Sequence, residues 1–194
     1  IHQVPFKTKQ LIHMEDVSIK YDANIICDNI NLDVLQGDRV AIEGKNGSGK
    51  SSILKLICGE KIEHGGTVQI GSGLIVSYLP QDVSFLSGSL KKYAIKKNLD
   101  ETLFKTILRK LDFSRIQFEK DMNNYSLGQK KKVLIAQSLC EKSNLMIWDE
   151  PLNYIDIFSR MQIENLLSEF KPTMIFVEHD KIFCDSIANK TIHI

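Results

Sequence analysis

The sequence has 194 residues, 25 Lys and Arg against 24 Asp and Glu, a net charge of +1, and 43% hydrophobic residues. That length suits one domain with room for a small subdomain. The balance excludes a disordered chain and a broadly basic nucleic-acid binder, and no apolar run approaches the roughly 18–20 residues that span a bilayer.

In chain order, Leu11 to Lys20 alternates and predicts a strand. Asn31 to Leu35 is a second short strand, and Arg39 to Glu43 a third, bounded by Gly37 and Gly44. Lys50 to Cys58 has helical spacing, with Ile53, Leu54, Ile57 and Cys58 on one face. Thr67 to Ile70 and Leu74 to Leu79 read as two strands of a hairpin around Gly71-Ser72-Gly73. Strand signals then vanish, and Leu103, Ile107, Leu108 and Leu111 mark helical texture. This predicts a helical insertion over about residues 82–142, with a helix from Gly128 to about Cys140.

Leu145 to Trp148 is a continuous apolar run ending in Asp149-Glu150-Pro151, as expected of a parallel strand covered on both faces. Ser159 to Phe170 is amphipathic, with Ile163, Leu166, Leu167 and Phe170 on one face. Met174 to Val177 is another buried strand, followed by Glu178-His179-Asp180. The order predicts an α/β nucleotide-binding core carrying an N-terminal antiparallel β subdomain and a short inserted helical subdomain. The chain begins at Ile1 and ends in a strand-like run, which reads as a piece of something longer. Cys27, Cys58, Cys140 and Cys184 form no CxxC pair and are expected to be reduced and buried, as in the cytoplasm. Residues 1–10 carry no apolar core of a secretory signal.

Gly44-Lys45-Asn46-Gly47-Ser48-Gly49-Lys50-Ser51 matches G-x-x-x-x-G-K-[ST] at every fixed position, after a strand and before a helix. The glycines let the backbone curl so that several N–H groups point at phosphates, and the helix N-terminus adds partial positive charge. Lys50 is expected to reach the β- and γ-phosphates, and the Ser51 hydroxyl to coordinate Mg²⁺. Asp149, at the C-terminal edge of its strand, is the natural partner for the metal. Glu150 beside it suits polarisation of attacking water. His179 ends the next strand at the same edge and can donate to a γ-phosphate. Gln81 follows the strand ending at Leu79 and can hold Mg²⁺ or the water. Tyr21, read as lying in a loop between strands, offers a ring to stack on adenine.

Together these residues resemble the nucleotide-binding domain of the ATP-binding-cassette superfamily, in the family's order from Tyr21 to His179. Gly44 to Ser51 looks like the Walker A loop, with Ser52 next to it, and Gln81 looks like the Q-loop glutamine. Tyr125-Ser126-Leu127-Gly128-Gln129 resembles the signature motif. Asp149 and Glu150 look like the Walker B aspartate and catalytic glutamate, Ile155-Asp156 like the D-loop, and His179 like the switch histidine. The resemblance implies an ATPase using Mg²⁺ at Ser51, Gln81 and Asp149. It also implies a second cassette whose ATP is met in trans by Ser126, Gly128 and Gln129. Leu127 stands where the family usually has glycine.

Asp149 to Asp156 resembles the Asp-Glu-Pro-Thr-Asn-His-Leu-Asp pattern of ABC-F proteins, and Ile147 to Ile163 looks like the second cassette of their Lsa/Vga-type antibiotic-resistance members. That likeness implies a single domain over 1–194 within a two-cassette chain, acting on the ribosome through segments outside this piece, with no membrane partner. The alternative is the ATPase domain of a membrane transporter. Finally, Lys130-Lys131-Lys132 near the start of a helix opposes the helix dipole. The run is expected either to face an anion, the partner's phosphates or RNA, or to be solvated.

Overall fold

A computed structural model describes residues 1, 3–21 and 24–194. Three strands form an antiparallel sheet in the order β2-β1-β4: β1 (Gln10–Tyr21), β2 (Asn24–Leu35) and β4 (His64–Ile70). Five form a parallel sheet in the order β5-β6-β7-β3-β8: β3 (Arg39–Glu43), β5 (Val76–Leu79), β6 (Leu145–Asp149), β7 (Met174–Val177) and β8 (Lys190–His193). The helices are α1 (Lys50–Ile57), α2 (Leu90–Lys96), α3 (Glu101–Lys110), α4 (Arg115–Glu119), α5 (Leu127–Cys140), α6 (Ile157–Phe170) and α7 (Lys181–Ile187). The structure thus has the α/β architecture expected, a parallel core with an antiparallel subdomain.

The parallel strands are apolar throughout because both faces are covered. Met146, Trp148, Met174 and Phe176 pack on one face against residues of α3, α5, α6 and α7. Leu145, Ile147, Ile175 and Val177 pack on the other, against α1 and the antiparallel sheet. Burying one such side chain contributes roughly 1.5–3 kcal/mol. The indole N–H of Trp148 donates to Ser138 Oγ at 2.8 Å, so the largest buried ring leaves no polar atom stranded.

Sequence expectation and structure part at several places. β4 and β5 are not a hairpin. β4 pairs with β1, whereas β5 joins β6 in the other sheet. The turn closes as predicted, with Leu74 N donating to Gly71 O at 2.9 Å. Asn144 then captures the chain by accepting from Ile75 N at 2.8 Å, and Asn144 N donates to Ile75 O. Composition reads the two strands but not which sheet claims each. β2 begins at Asn24, well before the expected start at Asn31. Tyr21 is the last residue of β1 rather than part of a loop. α7 lay unmarked in the sequence because it is a single short amphipathic segment. All four cysteines are free, but Cys58 is only half-buried. Among the described residues, no helix is long and apolar enough to cross a membrane.

The lysine run is corrected outright. Lys131 is 1% exposed and its neighbours are buried too. α5 is enclosed on every side, so residues after its first turn point into the protein whatever their charge. Lys132 Nζ meets Asp156 Oδ2 at 2.6 Å, and Lys130 Nζ reaches Ser84 O at 3.5 Å.

Candidate functional site

Strands β3, β5, β6 and β7 run parallel, so Gly44, Pro80-Gln81, Glu150 and Glu178-His179 all leave the sheet at one edge. Ligands bind at this edge in open α/β sheets. The glycine loop depends on conformations closed to other residues. Gly47 has φ of 82° and Gly49 of 94°. A Cβ on Gly44 would lie 2.4 Å from Ile194 O and 2.7 Å from Ser48 Oγ. Lys50 Nζ donates to Gly44 O and Lys45 O, both at 2.8 Å, curling the loop around its own ammonium. Lys45, Asn46 and Gly47 are exposed on the rim.

Tyr21 OH donates to Ser52 Oγ at 3.1 Å, bringing the antiparallel sheet to the start of α1. Tyr21, Ile26, Gly47, Gly49, Lys50, Ser51 and Ser52 line a cavity of about 200 Å³. A larger cavity of about 670 Å³ lies at the start of β5, between Val76, Asp100 and Glu141, and contains none of the motif residues. The glycine-loop motif residues line the smaller one.

Asp149 is 2% exposed, and its Oδ1 is buried with no hydrogen-bond partner. Burial raises its pKa against the lowering effect of the Ser51 hydroxyl, which is within hydrogen-bonding reach. An orphaned carboxylate oxygen beside a hydroxyl, with the exposed Gln81 carboxamide on the neighbouring Glu150, offers hard-oxygen donors. They fit Mg²⁺, which keeps several waters and takes few protein ligands. Ser48 Oγ is likewise buried without a partner, inside the glycine loop.

Glu150 turns the chain at φ 49°, a left-handed conformation uncommon for a non-glycine residue, while its N–H still donates to Val177 O at 3.0 Å. Its carboxylate gathers three side chains. Oε2 accepts from Gln81 Nε2 and from Asn153 Nδ2, both at 2.6 Å. Oε1 lies 3.4 Å from His179 Nε2. Gln81, Glu150 and His179 are therefore brought together as the sequence motifs anticipate. A carboxylate held this way, with one oxygen turned toward a half-exposed imidazole, can take a proton from water.

Two contributors escaped sequence reasoning as site residues. Asn153 served only to mark a subfamily, yet it grips Glu150. Glu178, 7% exposed, accepts from Leu152 N at 3.0 Å and from His179 N at 2.7 Å. A buried acid next to the motif histidine was the available signal. The turn is braced from outside by Arg160, which donates to both Asp180 oxygens at 2.6 and 2.8 Å.

The signature residues lie on the far side of residues 150–156. Ser126 and Gln129 form a capping box: Ser126 Oγ accepts from Gln129 N at 3.2 Å, and Gln129 Oε1 accepts from Ser126 N at 3.0 Å. A Cβ on Gly128 would stand 2.3 Å from Tyr154 O, so only glycine lets α5 approach that loop. Leu127 is exposed and shares a cavity of about 250 Å³ with Gln81, Asp82, Val83, Asn153 and Tyr154.

Residues 27–153 match the family model described as "ABC transporter". The chain is 32% identical over 193 residues to ATP-binding protein Uup of Caulobacter vibrioides, covering 95% of this chain and 32% of that protein. It is 28% identical to ribosome protection protein VmlR of Bacillus subtilis (95% and 34%) and 27% identical to ABC transporter F family member 2 of Arabidopsis thaliana (96% and 28%). It thus spans about a third of the length of these relatives. The solved structure of RNase-L Inhibitor superposes with a TM-score of 0.78 at 22% identity, over 97% of this chain and 38% of that one, showing the same fold. By its family match, its relatives and its fold, the chain belongs to the ABC transporter family, as an ATPase domain with homologues among the ABC-F proteins.

Proposed function

We propose that the chain is one cassette of a two-cassette ABC-F ATPase that acts on the ribosome, with Glu150 as the base for ATP hydrolysis. The observation that carries the catalytic reading is the convergence of Gln81, Asn153 and His179 on the Glu150 carboxylate, beside Asp149 and the glycine loop. Backbone N–H groups of residues 44–51 and the Lys50 ammonium bind the phosphates. Ser51, Asp149 and Gln81 hold Mg²⁺, which when bound offsets charge on the phosphate oxygens. Glu150 takes the proton of the attacking water as its oxygen bonds to the γ-phosphorus. The bond to the bridging oxygen breaks, and ADP leaves. His179 orients toward the transferring group, and Tyr21 stacks on the base.

Leu127, Tyr154, Ile157 and Phe158 support burial against a second cassette. All are exposed and apolar next to the signature turn, Ile157 at 79%. Ser126, Gly128 and Gln129 then face the partner's ATP. The ribosomal reading, and with it antibiotic protection of the Lsa/Vga kind, rests on relatives such as VmlR and on the Asn153-Tyr154 pattern.

Glu150→Gln in the full-length protein is expected to keep ATP binding and lose at least about 10²-fold in turnover. Normal turnover in that variant removes Glu150 from the mechanism. The same variant, closed on ATP, is expected to co-sediment with ribosomes. Recovery with membranes instead favours the transporter reading.

A further inference from the structure

Lys131 has no part in that chemistry, yet it lies directly behind it. Its Nζ donates to the main-chain carbonyls of Pro80 and Gln81, each at 3.2 Å. Both hydrogen bonds go to carbonyls rather than to a carboxylate. Asp149, Glu150, Glu178 and Asp82 surround the ammonium at longer range and favour its charge, while burial disfavours it. An ammonium buried without a direct ionic partner is costly, and an apolar side chain of the same length would fill the space without that cost. Packing alone therefore does not account for a lysine here.

What the ammonium holds is the backbone of the residue whose side chain reaches Glu150. The path runs from Lys131 Nζ to Gln81 O, and from Gln81 Nε2 to Glu150 Oε2 at 2.6 Å. Gln81 is otherwise exposed, and its loop leaves the edge strand of the sheet. Without the clamp, little else fixes where its carboxamide points. We infer that Lys131 is a positioning residue for ATP hydrolysis, clamping the Pro80-Gln81 backbone so that the Gln81 carboxamide meets Glu150. It thereby ties the water site to α5, the helix that begins in the signature motif. The inference rests on the ATPase reading above.

The test is steady-state ATP hydrolysis by the full-length protein as wild type, Lys131→Met, Gln81→Ala and the double variant, with Glu150→Gln as control. Lys131→Met should lower kcat about tenfold or more while KM for ATP stays within about threefold, because loss of the clamp misplaces a group near the chemistry and leaves the glycine loop intact. In the Gln81→Ala background the same change should cost less than about twofold, since no carboxamide remains to be positioned. Lys131→Met turnover within about twofold of wild type overturns the inference, as do effects of the two changes that simply multiply. If Lys131→Met does not yield folded protein, Lys131→Gln, shorter and neutral, is read by the same criteria. Wild-type turnover that Glu150→Gln leaves intact overturns the ATPase roles and the Lys131 role together. Turnover lost in Glu150→Gln but unchanged in Lys131→Met overturns the Lys131 role alone.

Discussion

The glycine loop at 44–51 and the carboxylate loop at 150–156 meet at the same sheet edge but are built in opposite ways. The first is almost entirely local. Its shape follows from glycines at positive φ and from a lysine that bonds carbonyls five and six residues back. The second is held by groups from elsewhere: the side chains of Gln81 after β5, Glu178 after β7 and Lys132 on α5, with the bare backbone of Gly128 packed against Tyr154. The proposed phosphate cradle is written into eight consecutive residues. The proposed water site depends on a carboxylate aimed largely by neighbours distant in sequence.

If that contrast is right, damage to α5 should disable the second loop and spare the first. Gly128→Val is the most severe case, because its side chain must displace the Tyr154 carbonyl. It should cost on the order of 3 kcal/mol of stability and most of the turnover, with ATP affinity little changed. Denaturant unfolding and nucleotide titration check both halves, and an equal loss of ATP affinity would erase the distinction.

Asp149→Asn probes the joint between the loops. The Asp149 pKa is raised in the folded chain, so its contribution is favourable only below the unfolded value of about 3.8. That contribution is lost as pH rises through the raised folded value, because charging a buried carboxylate whose Oδ1 has no hydrogen-bond partner is unfavourable in the free protein. The Asn variant should melt a few degrees higher at pH 7 without Mg²⁺ or nucleotide and lose Mg²⁺-dependent stabilisation. A lower melting temperature would show that the Asp149 carboxylate stabilises the free protein rather than straining it.

Asp156 has the opposite sign and a smaller effect. Burial works against its charge, but the Lys132 ammonium and the Ser159 N–H and hydroxyl together bring its pKa down to about 2. Its stabilisation is present above the unfolded value near 3.8 and lost as pH falls toward 2. Because the group is nearly half exposed, screening keeps the effect of Asp156→Asn below about 1 kcal/mol. The variant's acid-unfolding curve should be correspondingly flatter between about pH 4 and 2. A curve that tracks wild type through that window would leave the Lys132 contact without energetic weight.

Legibility in the sequence followed the range of the interactions. The runs Leu145–Trp148 and Met174–Val177 were readable as strands because burial on both faces demands apolar residues at every position. The separate destinations of β4 and β5 were not, because Asn144, distant in sequence, receives the chain after Gly73. Asn153 and Glu178 were readable as residues but not as parts of the site. The lysine run was misread because a charge pattern carries no information on whether its helix is central or peripheral.

By itself, then, the sequence determined the glycine loop, the order of the motifs and the α/β class, since each depends on residues adjacent in the chain or on a period of two or 3.6. Only the tertiary structure decided which sheet each N-terminal strand joins, what aims Glu150, and that Lys131 is buried behind Gln81. Those outcomes depend on contacts between residues 50 to 69 apart in the chain, which are made only when the sheet edge and α5 come together.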